Sequence, residues 1–241
     1  MLASAIIGHR GLASLAPENT LASIRMAHHY GIRWVELDAS LLGDGCVVLC
    51  HDDSWDRCSN HSGLLCHSTA ADLQFIDAGS WFSEQFRHEP IPTLSQALTL
   101  LSELDMGLNL ELKAQTGIEY CLVIKQILPI IKTYWRSSFP ILISSFDHEL
   151  LHQYRKADSH QLLGPLYETI DNDWLNTQKQ LRAASLHCDW NLLNPAQAND
   201  IVAAGYDLLV YTCNQQSDAK TLWNMGVHSI ISDTPHLLAQ R

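Results

Sequence analysis

Residues 34 to 51 read Trp34-Val35-Glu36-Leu37-Asp38-Ala39-Ser40-Leu41-Leu42-Gly43-Asp44-Gly45-Cys46-Val47-Val48-Leu49-Cys50-His51, two apolar runs on either side of a turn. Strand patterns cover Trp34–Asp38 and Cys46–Cys50. Asp44-Gly45 between them is the strongest short hairpin signal, and too few residues intervene for a crossover helix. A two-residue turn there sets Gly43 against Cys46 and Asp38 directly opposite His51. Alternate strand residues share a face, so Glu36 points the same way as Asp38. Two carboxylates and an imidazole would then meet through local geometry alone. A slip of one residue would turn His51 to the other face.

Outward from this hairpin, short β-branched runs alternate with helical patterns over the full length. The other strand patterns are Ala5–Gly8, Gly107–Leu112, Pro140–Ser144, Gln161–Leu166, Ala184–His187, Asp207–Tyr211 and His228–Ser232. Amphipathic stretches between them include Asn19–Tyr30, Thr93–Leu104, Gly117–Tyr134 and Pro195–Ala204. Such alternation without a glycine-rich phosphate fingerprint points to a single α/β domain, a TIM-type (β/α) barrel spanning 1–241. Nine strand patterns are one more than an eight-stranded barrel needs, so one pairs outside the barrel or is not a strand. The segment 52–92 fits neither element and is too long for a plain loop, so it reads as an insertion, or lid, after the strand that ends at His51. Its rings Trp55, Phe75, Trp81, Phe82 and Phe86 are expected to pack mainly in the insertion's own core.

With 241 residues, 46% hydrophobic and 17% charged, the chain can bury one sizeable core and is too apolar to be disordered. Its formal charge of −11 argues against a nucleic-acid partner, which would require a basic face. Phosphate chemistry would have to rest on local cations or a metal. Seven cysteines, an odd number without a C-x-x-C pair, fit reduced thiols, and Cys46 and Cys50 read as small core residues. The leading run Met1 to Ile7 is too short for a signal-peptide core and lacks a basic lead-in. No apolar run of about 18 residues or more suggests a membrane span. The expected location is the cytoplasm.

Polar groups gather where the early strands end. His9-Arg10 follows Ile6-Ile7-Gly8, Glu36 and Asp38 flank Leu37, His51 follows Val47-Val48-Leu49-Cys50, and Glu111 and Lys113 flank Leu112. In a (β/α) barrel those ends form the active-site mouth. Clustered carboxylates repel one another, and a hard divalent cation relieves the repulsion; all-oxygen ligands favour Mg²⁺, Ca²⁺ or Mn²⁺ over Zn²⁺. Arg10 and Lys113 suit an anionic substrate. His9 and His51, which titrate near neutral pH, can serve as acid and base. The combination describes phosphodiester cleavage.

His9-Arg10-Gly11, Pro17-Glu18-Asn19-Thr20, Glu36-Leu37-Asp38 and Val47-Val48-Leu49-Cys50-His51-Asp52 resemble, in order and spacing, the glycerophosphodiester phosphodiesterase family. So do Asp77-Ala78-Gly79-Ser80-Trp81-Phe82, Ile91-Pro92-Thr93-Leu94, Leu110-Glu111-Leu112-Lys113, Ser144-Ser145-Phe146, and the segments 207–214 and 226–235. The resemblance spans nearly the whole chain and is strongest to short cytosolic bacterial members. It implies a metal on Glu36, Asp38 and Glu111, acid and base at His9 and His51, and phosphate contacts from Arg10 and Lys113. It also matches the insertion, and it makes Glu18-Asn19 a helix-start motif. We read that motif as structural, with Asn19 satisfying helix-end amides and Glu18 holding His9 or Arg10. Asp52 is a candidate to orient His51 or the metal, and Asp233, before Thr234-Pro235, reads as a helix-start cap, with facing the site as the alternative.

The chain departs from the family's usual pattern at Tyr211 and Cys213, at Gln96, and at Val227-His228-Ser229. None of these touches the implied ligands or histidines. The expected reaction is hydrolysis of a small-molecule glycerophosphodiester to glycerol 3-phosphate and an alcohol. A lysolipid-cleaving relative, acting through a cyclic phosphate, would need an apolar entrance, and the sequence shows no amphipathic membrane-binding helix. A silent phosphodiester-binding protein would not need both histidines.

Overall fold

The computed structural model describes residues 4–238. Nine strands run β1 Ile6–Gly8, β2 Trp34–Leu41, β3 Val47–Leu49, β4 Gly107–Leu112, β5 Ile141–Ser145, β6 Leu162–Tyr167, β7 Ser185–Asp189, β8 Asp207–Tyr211 and β9 Ser229–Ser232. The helices are α1 Leu21–His29, α2 Leu94–Glu103, α3 Tyr120–Tyr134, α4 His148–Ala157, α5 Trp174–Leu181, α6 Pro195–Ala203, α7 Gln216–Asn224 and α8 Pro235–Leu238. Neighbouring strands pair in parallel in the order β1-β9-β8-β7-β6-β5-β4-β2, and β1 pairs with β2 to close the ring. The expected TIM barrel is present, with eight parallel strands inside a jacket of helices. All nine strand patterns form strands. No helix among the described residues is long and apolar enough to cross a membrane.

The surplus strand is β3. Strand β1 meets β2 only at Gly8–Val35, which leaves the upper part of β2 without a partner on that edge. β3 fills it antiparallel, with Ala39, Ser40 and Leu41 opposite Leu49, Val48 and Val47. This register differs by one residue from the expected one. The turn holds three residues, Gly43-Asp44-Gly45, because Leu42 pairs with Cys46 (Leu42 N to Cys46 O, 2.9 Å). Gly45, at φ 84°, takes the left-handed position that closes such a loop. Asp38 consequently faces Cys50, not His51; its carbonyl accepts from Cys50 N at 3.2 Å.

Helix starts follow their signals. Thr20 caps α1 with a reciprocal bond to Ser23, and Thr93 caps α2 the same way with Gln96. Gln96 therefore fills the N3 position of a capping box as a glutamate would. Helix-facing residues of β2 and β4, among them Val35, Leu37, Leu108 and Leu110, join the helices in the largest core cluster. Inside the barrel, Ile7, Trp34, Leu142, Leu209 and Ile231 form an apolar floor. The Trp34 indole has room only because Gly107 stands beside it on β4, where an added Cβ would fall inside the ring.

Segment 52–92 contains three short 3₁₀ turns, Leu65–His67, Asp72–Phe75 and Glu84–Phe86. It does not build a core from its own rings as expected. Trp55 is buried, but Phe75 and Trp81 are exposed, and Trp81, Phe82 and Phe86 stack edge to face at the surface. The buried cluster is shared with the hairpin: Leu42, Val48 and Cys50 from one side, Trp55, Leu65, Ile76, Ala78 and Ile91 from the other. Val47 and Leu49 on the outward face of β3 join the helix-side core, while Val48 lies on the face that continues the Glu36 and Asp38 side of β2, and the insertion covers that face.

Candidate active site at the carboxyl ends of the strands

Strand β2 points Glu36 and Asp38 into the barrel above the apolar floor, and β4 points Glu111 beside them. Their ligand-capable oxygens lie within 4.8 Å of one another, and all three residues are at most 9% exposed. Burial, then the neighbouring charges of Asp38 and Glu111, pushes the Glu36 carboxyl well above its ordinary range. Glu111 is raised by burial and by Asp38, against the pull of Lys113. Asp38 goes the other way. Burial would raise it, but Lys113, Arg10 and His51 attract its charge and Asn19 donates to it, so it is lowered overall. Oxygen Oε1 of Glu36 is buried with no hydrogen-bond partner. An unsatisfied carboxylate oxygen within a cluster of three is a place where a divalent cation fits, since it would answer both the repulsion and the missing bond.

Two cations border the cluster. Lys113 Nζ lies 2.7 Å from Glu111 Oε1 and 3.6 Å from Asp38 Oδ1. Arg10 Nε is 3.4 Å from Asp38 Oδ2, and the backbone N of Arg10 donates to Glu36 Oε2 at 3.1 Å. Arg10 sits at φ 50°, and the loop after β1 folds tightly against α1 because Gly11, at φ 92°, leaves no Cβ to strike Ser23.

Each histidine is held by a carboxylate at Nδ1. His9 Nδ1 is 2.6 Å from Asp233 Oδ1, and its Nε2 faces Glu36 at 3.8 Å. His51 Nδ1 is 2.6 Å from Asp52 Oδ1. A carboxylate at Nδ1 fixes the ring and the tautomer, leaving Nε2 for proton transfer. Burial lowers the His51 pKa more than Asp38 raises it, which keeps the ring neutral near pH 7. His51 reaches the site despite the shifted register because β3 stops at Leu49 and the chain bends before His51. His9, Arg10, Glu36, His51 and Glu111 all line one cavity of about 160 Å³, with Asn109, Phe146, Leu166 and Tyr211 on its other walls. Lys113 borders it through Glu111. All seven candidate site residues therefore converge.

Two neighbouring roles, those of Asn19 and Asp233, differ from the sequence reading, while Glu18 holds Arg10 as expected. Asn19 does not serve the helix end, which Thr20 caps; its amide donates to Asp38 Oδ2 at 2.8 Å and its oxygen accepts from Asp38 N at 3.1 Å. Glu18 holds Arg10 (2.7 Å) and also Arg57. The Asp233 carboxylate serves His9 and Asn214. Its signal was available, since it is the first charged residue after Ile230-Ile231-Ser232 at the end of the last strand. Arg57 offered none, because it lies in an aperiodic segment.

The chain matches the model of the glycerophosphoryl diester phosphodiesterase family over residues 9–237. It is 32% identical over 238 residues to a glycerophosphodiester phosphodiesterase of Caldanaerobacter subterraneus subsp. tengcongensis, covering 97% of this chain and 95% of that one. It is similar to the solved structure of an Oleispira antarctica phosphodiesterase in complex with the product sn-glycerol-3-phosphate (TM-score 0.94, 38% identity, 97% and 94% coverage). It also shares its fold with a Thermotoga maritima glycerophosphodiester phosphodiesterase (TM-score 0.78, 23% identity, 98% and 97% coverage).

Proposed function

The chain belongs to the glycerophosphoryl diester phosphodiesterase family, and from that premise we propose that it hydrolyses glycerophosphodiesters to glycerol 3-phosphate and an alcohol such as choline, ethanolamine or glycerol, with the help of a divalent metal. Glu36, Asp38 and Glu111 would hold Mg²⁺, Ca²⁺ or Mn²⁺. When bound, the ion supplies positive charge to the phosphoryl oxygens as the transition state gathers charge there.

The remaining work belongs to the chain's own side chains. Arg10 and Lys113 draw the diester's anionic oxygens against the cluster. One imidazole takes a proton at Nε2 from the attacking oxygen, and the other delivers one to the leaving alcohol as its bond to phosphorus breaks. Asp233 and Asp52 hold those rings by Nδ1, so neither has to reorient during the transfer. Phe146, Leu166 and Tyr211 give the cavity an apolar wall, suited to the carbon skeleton of the glycerol or head group. The insertion 52–92 borders the mouth through Asp52. Seven free cysteines suit a reducing compartment, the cytoplasm.

The observation that carries this reading is the pair of carboxylate-anchored histidines around three buried carboxylates and two cations. The test is turnover of a small panel of glycerophosphodiesters after exhaustive chelation, and again with each divalent ion added. Release of glycerol 3-phosphate that chelation abolishes and an ion restores is expected. Full turnover in chelator would remove the metal, and no turnover of any diester would remove the function.

A further inference from the structure

Arg57 lies in the insertion, outside the cavity and with its side chain nearly half exposed, yet it makes the densest set of charged hydrogen bonds near the site. Its Nε donates to Asp52 Oδ2 (2.7 Å) and its Nη2 to Asp52 Oδ1 (3.0 Å). Its Nη1 donates to Glu18 Oε2 (2.8 Å) and Nη2 also to Glu18 Oε1 (2.8 Å). One guanidinium thus forks onto two carboxylates through two different edges.

Each carboxylate has a second task. Asp52 Oδ1 also accepts from His51 Nδ1 at 2.6 Å, and Glu18 Oε1 also accepts from Arg10 Nη1 at 2.7 Å. We propose that Arg57 is a positioning residue that locks His51 and Arg10 in their working orientations at once, through Asp52 and Glu18. The insertion is thereby tied to the proton-transfer group and to the phosphate-binding group by a single side chain.

The physical case rests on geometry. A carboxylate bonded only to one imidazole or one guanidinium can rotate about its own bonds, and its partner moves with it. Pinning both oxygens of Asp52 and both of Glu18 removes that freedom. Only a planar fork with donors on several edges can reach all four oxygens at once; a lysine ammonium, with three donors on one compact centre, cannot. The charge balance agrees, since Asp52 and Glu18 are held below the ordinary carboxylate range, Asp52 chiefly by its bond to Arg57.

The inference rests on the reading of His51 and Arg10 given above, so its test separates the two. Arg57→Ala and Arg57→Lys are compared with the parent by steady-state kinetics on a glycerophosphodiester, by sn-glycerol 3-phosphate affinity, and by the ¹⁵N side-chain spectrum of His51, which reports the ring tautomer. With the clamp, Arg57→Ala lowers kcat by roughly tenfold or more, weakens sn-glycerol 3-phosphate binding severalfold, and mixes the His51 tautomers. Arg57→Lys recovers one of the two effects, and both variants melt within a few degrees of the parent. A purely structural role would instead lower the melting temperature and leave tautomer and affinity unchanged in the folded fraction. An unchanged His51 spectrum with parental kcat and affinity overturns the clamp. A mixed tautomer with parental kcat upholds the clamp and removes His51 from the chemistry, which sinks the earlier reading and not this one.

Discussion

Glu111 is the ligand at which charge and shape separate most cleanly. Glu111→Gln keeps the volume and removes one charge from a cluster whose carboxylates already repel. A divalent ion that binds the folded chain alone stabilises it by RT ln(1 + [M]/Kd), about 2.7 kcal/mol at a hundredfold excess over Kd. Thermal melts of the parent should rise with Mg²⁺, Mn²⁺ or Ca²⁺, and the rise should largely vanish in Glu111→Gln while the metal-free melts stay close. Equal metal-induced shifts in both proteins would take Glu111 out of the ligand set. The histidines divide by leaving group. A nitrophenolate departs without a proton, so loss of the acid should hurt nitrophenyl diesters far less than alkyl diesters, where general acid assistance is worth about 10²–10⁴-fold. His9→Ala and His51→Ala compared on both substrates identify the acid as the variant showing that contrast; a near-parental rate on an alkyl diester would remove that histidine from the reaction. These residues were legible because each polar group stands at the end of an apolar strand, where a packed barrel has no structural use for it. Asn19, Asp233 and Arg57 were misread or missed because they bond to residues distant in sequence, and nothing in a helix-start motif or an aperiodic loop announces Asp38, His9 or Glu18.

The strands carry the site as a stack, with Trp34 in the floor beneath Glu36 and Asp38 on the same face of β2. The floor depends on one size match. Gly107→Ala would drive a methyl into the Trp34 indole, and an overpacked core of this kind costs about 1–3 kcal/mol. For a chain of this length each kcal/mol is worth about 2–4 °C in Tm, so a fall of several degrees is expected. Because Trp34 cannot move down into Ile7 and Leu142, it must press upward, and divalent-ion affinity should fall with the Tm. A variant with parental Tm and parental metal affinity would contradict that account. Short apolar runs made the strands readable, since strands of a parallel barrel are covered on both faces and leave few polar positions along them. The hairpin register was less readable. Asp44-Gly45 admits a two-residue turn or a three-residue loop, and the pairing of Leu42 with Cys46 is decided by the left-handed Gly45 and by where β1 leaves the edge of β2 free. The insertion's core was unreadable for a related reason. Its rings looked self-sufficient, but the apolar surface that needs covering is the Val48 face of the hairpin, and Leu65, Ile76 and Ile91 answer it better than the exposed Phe75 and Trp81 do.

Across the whole molecule, the response to acid is set by groups buried in the barrel more than by the net charge of −11. His187 on β7 points inward and is fully buried; it shares a 2.9 Å hydrogen bond with Ser185 and occupies space that Gly164 leaves open, while its Nδ1 has no hydrogen-bond partner. Desolvation pulls its pKa down to about 3. The unfolded chain binds a proton there near pH 6.5, and the folded chain does not until about pH 3. Between those values the unfolded state holds the extra proton, so stability is full above pH 6.5 and falls on acidification by about 1.4 kcal/mol per pH unit from this group alone. Glu36 and Glu111 act in the opposite sense. Their raised pKa values make the folded state take up protons first as the pH drops, so acid relieves their repulsion and offsets part of the loss. Comparison of the parent with His187→Gln isolates the imidazole, because the carboxylates are common to both and glutamine still offers Ser185 a polar partner. Unfolding free energies from denaturant titrations at pH 7 and pH 4.5, with metal excluded, should fall by about 2–3 kcal/mol less in the variant than in the parent. Parallel pH profiles for the two proteins would mean that His187 takes up its proton in the folded barrel, and would overturn this account.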